Sequence, residues 1–359
     1  MANWPINIDL QQDELFSSWI IRVALKHGIS PIDLTGLIWQ KRRVWTTDID
    51  RILPSSGLNK LSDSSGVSIA RLHNSTFHGL LSKISGNIGD HGLWPWLIPY
   101  GVRNRSYRGG IQFCSDCLKE DNNPYLRKSW RLAWNVSCHK HRSYFFEFCP
   151  ECQSLIEPNK LSEKNRLICV CSNCKADFRD FSTNQNTEDN FDIQNQCQEI
   201  VHNEFSVFDK DICSSKDWFK LLRFYILIIS RCSNTKLTSL PLLLRYFDVE
   251  YINTNLTGLG FEYLSIKERS MILDGCQKLL NVGTEKLTEI INNIGVSKNT
   301  FIGINSNIPT LFKPIFEKIE KENTQKPIAK NKLSNPVEKA VILRKYRRLL
   351  RKYRLKTSE

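Results

Sequence analysis

Eight of the twelve cysteines lie between Cys114 and Cys174, and seven of them fall in four short pairs, one of which is completed by a histidine. Cys114-Ser-Asp-Cys117 is followed by Cys138-His-Lys-His141, and Cys149-Pro-Glu-Cys152 by Cys171-Ser-Asn-Cys174. A C-x2-C pair forms a tight knuckle with both sulfurs pointing inward, and two such pairs close the tetrahedron that zinc accepts in structural sites. A redox C-x2-C motif needs one pair on a βαβ scaffold, not four pairs in succession. Proximity along the chain predicts a first site of Cys114, Cys117, Cys138 and His141, and a second of Cys149, Cys152, Cys171 and Cys174. Three alternatives stay open: His139 in place of His141, Cys169 in place of Cys171, and a crossed arrangement of the pairs. Both sites would be saturated by protein ligands, whereas a catalytic zinc keeps a position open for water. Two structural zinc ions are therefore expected as cofactors, with their binding energy serving as folding energy. The scattered Cys197, Cys213, Cys232 and Cys276 read as ordinary core or surface thiols.

The elements that must position these ligands read as mainly α, with small zinc-ribbon or zinc-knuckle modules. Between the halves of the first site, Trp130 and Trp134 read as aromatics packed beside the metal; Arg127, Lys128 and Arg131 suit either a phosphate backbone or a solvated surface. Upstream, Phe16, Ile20, Val23 and His27 recur at helical spacing, with Asp13 and Glu14 where a helix start favours negative charge. His27 reads as a half-buried helix-end residue. Gly28 then makes a turn, Ser30 caps and Pro31 opens a second helix whose expected buried face is Leu34, Leu37 and Ile38. That outline is a helix-turn-helix. It returns late in the chain: Leu287, Ile290, Ile291 and Ile294 line one face, Gly295-Val296-Ser297 is the turn, and Lys298, Asn299 and Thr300 open the next helix. In a DNA-reading unit those first residues meet base edges; a plain αα-hairpin is the alternative. Residues 216–245, with Trp218, Leu221, Leu222, Tyr225, Ile228 and Ile229 as core, and residues 265–280 also read as helices.

Charge separates the last segment from the rest. The 359 residues carry 50 Lys and Arg against 37 Asp and Glu, a net +13. Ten of those thirteen charges fall in residues 313–359. There Ile342, Tyr346, Leu349 and Tyr353 form an apolar stripe, while Arg344, Arg347, Arg348 and Arg351 lie on a basic face suited to nucleic-acid phosphates. The opening residues lack a signal-peptide pattern, and the longest apolar run, residues 221–229, is short and broken by Arg223. The expectation is a soluble cytoplasmic protein without a membrane partner. Two D-x-D triplets, Asp48-Ile-Asp50 and Asp209-Lys-Asp211, read as solvated loop or helix start, and no H-E-x-x-H pattern occurs. An enzyme is not expected. The organisation predicted is an N-terminal helical region over 1–110, a tandem zinc module over 111–181, a polar linker over 182–198 and a helical C-terminal domain over 199–322. A second linker over 323–336 and a basic amphipathic tail helix over 337–359 follow.

The stretch from Glu14 through Trp19, Arg22 and Ala24 to Gly28 resembles the opening of the TniQ/TnsD family of transposon target-selection proteins. So does the order Phe113-Cys114-Ser-Asp-Cys117-Leu-Lys-Glu-Asp, Trp130-Arg131, Cys138-His-Lys-His141 and Cys149-Pro-Glu-Cys152. The likeness covers about residues 5–175. It implies a non-catalytic adaptor that marks an insertion site and recruits a TnsC-like AAA+ ATPase. Some members recognise target DNA at an attachment sequence; others ride as a homodimer on a Cascade-type CRISPR complex, which leaves sequence reading to the guide. The resemblance also implies a bacterial, nucleoid-associated setting and carries the matched cysteines and His141 over as zinc ligands. A sequence-specific DNA-binding regulator is the rival reading.

Overall fold

A computed structural model describes residues 4–40, 42–86, 93–100, 110–182, 191–232, 239–250, 260–319 and 346. Residues Met1–Glu320 form one compact unit and Lys321–Glu359 a second. Of the second unit only Tyr346, helical and exposed, is described, so the linker expected over 323–336 and most of the tail, with Arg344, Arg347, Arg348 and Arg351, lie outside the described residues.

Among its described residues the N-terminal region contains five α-helices: α1 (Phe16–Lys26), α2 (Pro31–Ile38), α3 (Leu58–Ser65), α4 (Ile69–Asn74) and α5 (His78–Ser85). Ser30 accepts from the Asp33 N–H at 3.1 Å, with Pro31 at the first helical position, so α2 begins where the sequence places it. Its buried face is smaller than expected: Leu34 is buried, but Leu37 is 61% exposed. The start of α1 also differs. Asp13 and Glu14 precede the helix and Leu15 caps it. Every residue from Phe16 to Leu25 is buried. Phe16, Trp19, Ile20, Val23 and Ala24 face a small core with Leu34, Trp39, Leu61 and Leu72, while Leu15, Ile21 and Leu25 belong to the large core of the molecule. A helix wrapped on all sides must satisfy its polar groups internally. Accordingly, the Ser18 hydroxyl donates to Glu14 Oε1 at 2.7 Å, and Arg22 donates to Glu14 Oε2 at 2.7 Å. Burial pushes the Glu14 carboxyl up, and Arg22 opposes the rise.

The cysteine-rich stretch holds α6 (Ser115–Glu120) and a series of short turns. Beyond it come α7 (Phe191–Asn203), a hairpin of β1 (Phe205–Phe208) and β2 (Asp211–Ser214), then α8 (Ser215–Cys232), α9 (Ser239–Tyr246), α10 (Ile266–Leu280), α11 (Thr284–Ile294), α12 (Lys298–Ile304) and α13 (Lys313–Lys318). The strands pair antiparallel with Phe205 opposite Ser214. Asp209 and Lys210 both take positive φ, the type I′ geometry that suits strand twist. Asp209-Lys-Asp211 is therefore a hairpin turn. The linker expected over 182–198 becomes α7 from residue 191, because Ile193 and Cys197 bury themselves in the large core. Helix α8 is the axis of the second half, with Trp218, Leu221, Leu222, Tyr225, Ile228 and Ile229 all buried. Helix α10 packs on it through Gly275, where a Cβ would come within 2.9 Å of Ile229 Cδ1 and 2.6 Å of Val249 Cγ1.

Hydrogen bonds cross the expected boundaries near 110, where the Leu126 N–H donates to the Ser18 hydroxyl at 2.9 Å, and near 181. Arg269, buried on α10, donates to the Ala133 carbonyl at 2.7 Å and to Gln112 Oε1 at 2.8 Å. Gln194 on α7 accepts from the Val136 N–H at 2.8 Å. Among the described residues no helix is long and apolar enough to cross a membrane.

Candidate metal centres and the surfaces around them

Three of the four ligand pairs sit in one local backbone design. Cys138, Cys149 and Cys171 each donate their N–H to the carbonyl five residues on, at Ser143, Ser154 and Ala176, over 2.8, 2.9 and 2.9 Å. Each also accepts from the N–H four residues on, and that residue (Arg142, Gln153 or Lys175) takes a positive φ of 49, 55 or 68°. The flanking residues pair as isolated antiparallel bridges, Ser137 with Tyr144, Phe148 with Leu155 and Val170 with Asp177. This knuckle holds the residues at positions one and four of each pair on the same side. The remaining pair is helical: Cys114 caps α6 and Cys117 lies in its first turn.

These pieces gather two four-residue groups, Cys114, Cys117, Cys138 and His141, and Cys149, Cys152, Cys171 and Cys174, with ligand atoms in each group within 4.8 Å of one another. The pairs are not crossed. In the first, His141 Nδ1 is 3.4 Å from the Cys114 and Cys117 sulfurs and 3.5 Å from that of Cys138. In the second, Cys149 and Cys174 sulfurs stand 3.6 Å apart, and those of Cys152 and Cys171 3.7 Å. Tetrahedral zinc bonded at ordinary lengths puts sulfurs about 3.8 Å apart and sulfur to nitrogen about 3.6 Å. The residues fit that ion. His139 and Cys169, the open alternatives, stand outside both groups. The Cys169 thiol is buried, which pushes it up to about 12, and the nearby Asp177 charge adds to the rise.

The second centre has its own hydrogen-bond support. The Ser154 hydroxyl lies 3.0 Å from the Cys152 sulfur and the Asn173 amide donates to it over 3.5 Å. These bonds, Ser154 first, pull the Cys152 thiol down to about 5, towards the thiolate a metal requires. The Asn173 N–H also donates to Cys171 Sγ at 3.4 Å. Phe113, immediately before the first ligand, stacks on Phe146 at 5.2 Å and on Phe178 at 4.5 Å, tying the two modules together. Trp130 and Trp134 are fully buried in the same core, as their position between the ligand pairs suggests.

The basic residues between those pairs face inward. Arg131 is completely buried, and its guanidinium clasps Asp48 through two bonds of 2.8 and 2.7 Å, with a third to Asp50 Oδ2 at 3.1 Å and a fourth to the Ile98 carbonyl at 2.7 Å. Asp50 in turn accepts from the Ser17 N–H and hydroxyl, each at 2.7 Å. The Asp48-Ile-Asp50 triplet is thus a buried anchor between α1 and the metal region rather than a solvated loop. Burial raises the Asp50 carboxyl to about 6, with Arg131 pulling down and Asp48 pushing up. Arg127 makes a two-pronged pair with Asp121 at 3.0 and 2.8 Å and lies over the Trp130 ring, and Lys128 donates to the Asn74 carbonyl at 2.6 Å. Arg127 and Arg131 are thus committed to carboxylates, while Lys128 is half-buried.

The turn between α11 and α12 forms as the sequence predicts, with Gly295 left-handed at φ 76°. Its proposed base readers separate. Lys298 donates to the Glu317 carbonyl at 3.0 Å and lies over the Phe316 ring. Thr300 is buried, and Asn299 alone of the three is exposed.

Sequence reasoning singled out Asp50 and Arg131 without their pairing and gave Glu120 no role. Glu120 was legible as the acid three residues after Cys117, whereas Asp50 and Arg131 lie 81 positions apart. Comparison with curated proteins returns no match. A family model described as TniQ matches residues 5–145, a span holding α1 to α6, the Arg131 anchor and the whole first metal centre. Over residues 5–145 the chain is therefore similar to the TniQ family.

Proposed function

We propose that this protein is a non-catalytic adaptor for target-site selection in DNA transposition, its core held by two structural zinc ions. It links a target-recognition assembly, either target DNA or a Cascade-type CRISPR complex, to a TnsC-like AAA+ regulator. The observation that carries the reading is the coincidence of the TniQ span with a metal centre whose four positions are all taken by protein side chains. A saturated tetrahedron leaves no place for an activated water, so such a metal braces the fold and does no chemistry. Asp48 and Asp50 are both paired with Arg131 rather than left free.

Protein docking suits the helix-turn-helix units better than base reading does. α2 turns Ile32 and Leu37 to solvent, and α12 exposes Ile302 while tethering Lys298. Nucleic-acid contact falls instead to the basic tail, through Arg344, Arg347, Arg348 and Arg351. A cytoplasmic, nucleoid-associated protein that docks as a homodimer follows from the same reading. The test is affinity capture of the full chain from cells carrying its native locus. Recovery of a TnsC-like ATPase, with or without Cascade subunits, supports the adaptor. Recovery of neither, together with tight binding of the purified chain to one DNA sequence, replaces it with the DNA-binding regulator.

A further inference from the structure

Glu120 ends α6, the helix that carries Cys117 and is capped by Cys114, so its carboxylate rides on the same short element as two of the four ligands. His141 comes from the opposite half of the centre, the knuckle that begins at Cys138. Its two ring nitrogens have different partners: Nδ1 faces the three sulfurs at 3.4 to 3.5 Å, and Nε2 lies 3.0 Å from Glu120 Oε1. The other carboxylate oxygen, Oε2, is held by the Lys140 ammonium. A carboxylate can only accept from Nε2–H, so this contact leaves Nδ1 as the bare nitrogen.

Resting on the metal-centre reading above, we propose that Glu120 is the positioning residue of the first centre. It fixes the tautomer and ring orientation of His141, and thereby governs how long that centre keeps its metal. The relay runs Lys140 to Glu120 to His141 to metal. Outer partners of this kind are worth about 10- to 100-fold in metal affinity. Glu120 is about half exposed, so its loss opens no cavity and removes only an exposed ion pair and the histidine contact. The second centre has four thiols and no histidine, and so serves as an internal control.

The experiment uses the full zinc-loaded chain and a chromophoric chelator in excess. Wild type should release two zinc ions in separable phases. Glu120→Ala should speed the first-centre phase about 10- to 100-fold and leave the other unchanged; Glu120→Gln, which keeps an acceptor oxygen, should recover much of the loss. Loading with Co2+ assigns the phases, because three sulfurs with one nitrogen absorb differently from four sulfurs, and only the mixed-ligand bands should shift in Glu120→Ala. Wild-type release and an unchanged cobalt spectrum in Glu120→Ala overturn the proposal. Equal acceleration of both phases overturns it too, since that reports general loosening. A wild-type chain that holds no metal overturns the metal-centre reading itself, which the wild-type stoichiometry reveals separately.

Discussion

Replacing Arg131 by Met should be among the most damaging single changes in the N-terminal half. The guanidinium spends four hydrogen bonds on Asp48, Asp50 and the Ile98 carbonyl, with no exposed surface of its own. Methionine fills much of the volume but strands two acids, one of them wholly buried. Removing one partner of a buried ion pair costs about 3–5 kcal/mol, a large share of the roughly 5–15 kcal/mol that holds a domain folded. At about 2–4 °C per kcal/mol, the melting temperature should fall by about 6–20 °C. The loss should also depend on pH. Asp50 titrates at about 6 in the folded protein against an ordinary 3.8, because burial outweighs Arg131. The folded state thus binds the extra proton between those values, so the stability due to this group is full below about 4 and disappears as pH rises through about 6. At pH 8 the variant strands an ionised Asp50; at pH 5.5 the carboxyl is largely protonated and the penalty shrinks. Adding Asp50→Asn should recover part of the pH 8 loss. Thermal unfolding followed by near-ultraviolet circular dichroism at both pH values measures all of this. A variant that melts with wild type at pH 8, or whose deficit is equal at the two pH values, refutes the reasoning.

Elemental analysis should find about two zinc ions per chain, with the value unchanged in His139→Ala and Cys169→Ala and reduced by one in Cys171→Ser. Gly275→Val should destabilise by about 1–3 kcal/mol, read by chemical denaturation, because the added carbons meet Val249 and Ile229 where α10 crosses α8; a neutral result would mean that these helices separate freely. Deleting residues 337–359 should weaken nonspecific DNA binding and reduce its salt slope by about 0.9 for each phosphate that the tail neutralises, measured by fluorescence anisotropy over a salt series.

The two ligand groups were legible before any fold was known because each knuckle is closed by hydrogen bonds spanning at most five residues. Two open choices needed coordinates: Cys171 is taken over Cys169 because the knuckle N–H and carbonyl bonds start at position 171, and His141 over His139 because only the former reaches the three sulfurs. Helices α8, α10 and α11 were visible in their apolar spacing, each having a dominant buried stripe. Helix α1 was only half visible, since Ser17 and Ser18 interrupt its pattern while being as buried as Phe16. The residues 191–198 read as linker for the same reason: the apolar anchors Ile193 and Cys197 are outnumbered there by amides that find partners only in the fold, as Gln194 does with Val136.

Long-range charge is where local reading fails. Nothing near Asp50 announces an arginine 81 residues away, and nothing near Arg131 distinguishes a phosphate contact from a buried anchor. Spacing alone thus determined which pairs gather into each candidate ligand group, because short loops leave their side chains few other places to meet. The destination of the charged groups was decided only by tertiary packing, because burying a charge is tolerable only opposite its partner, and that partner arrives from another part of the chain.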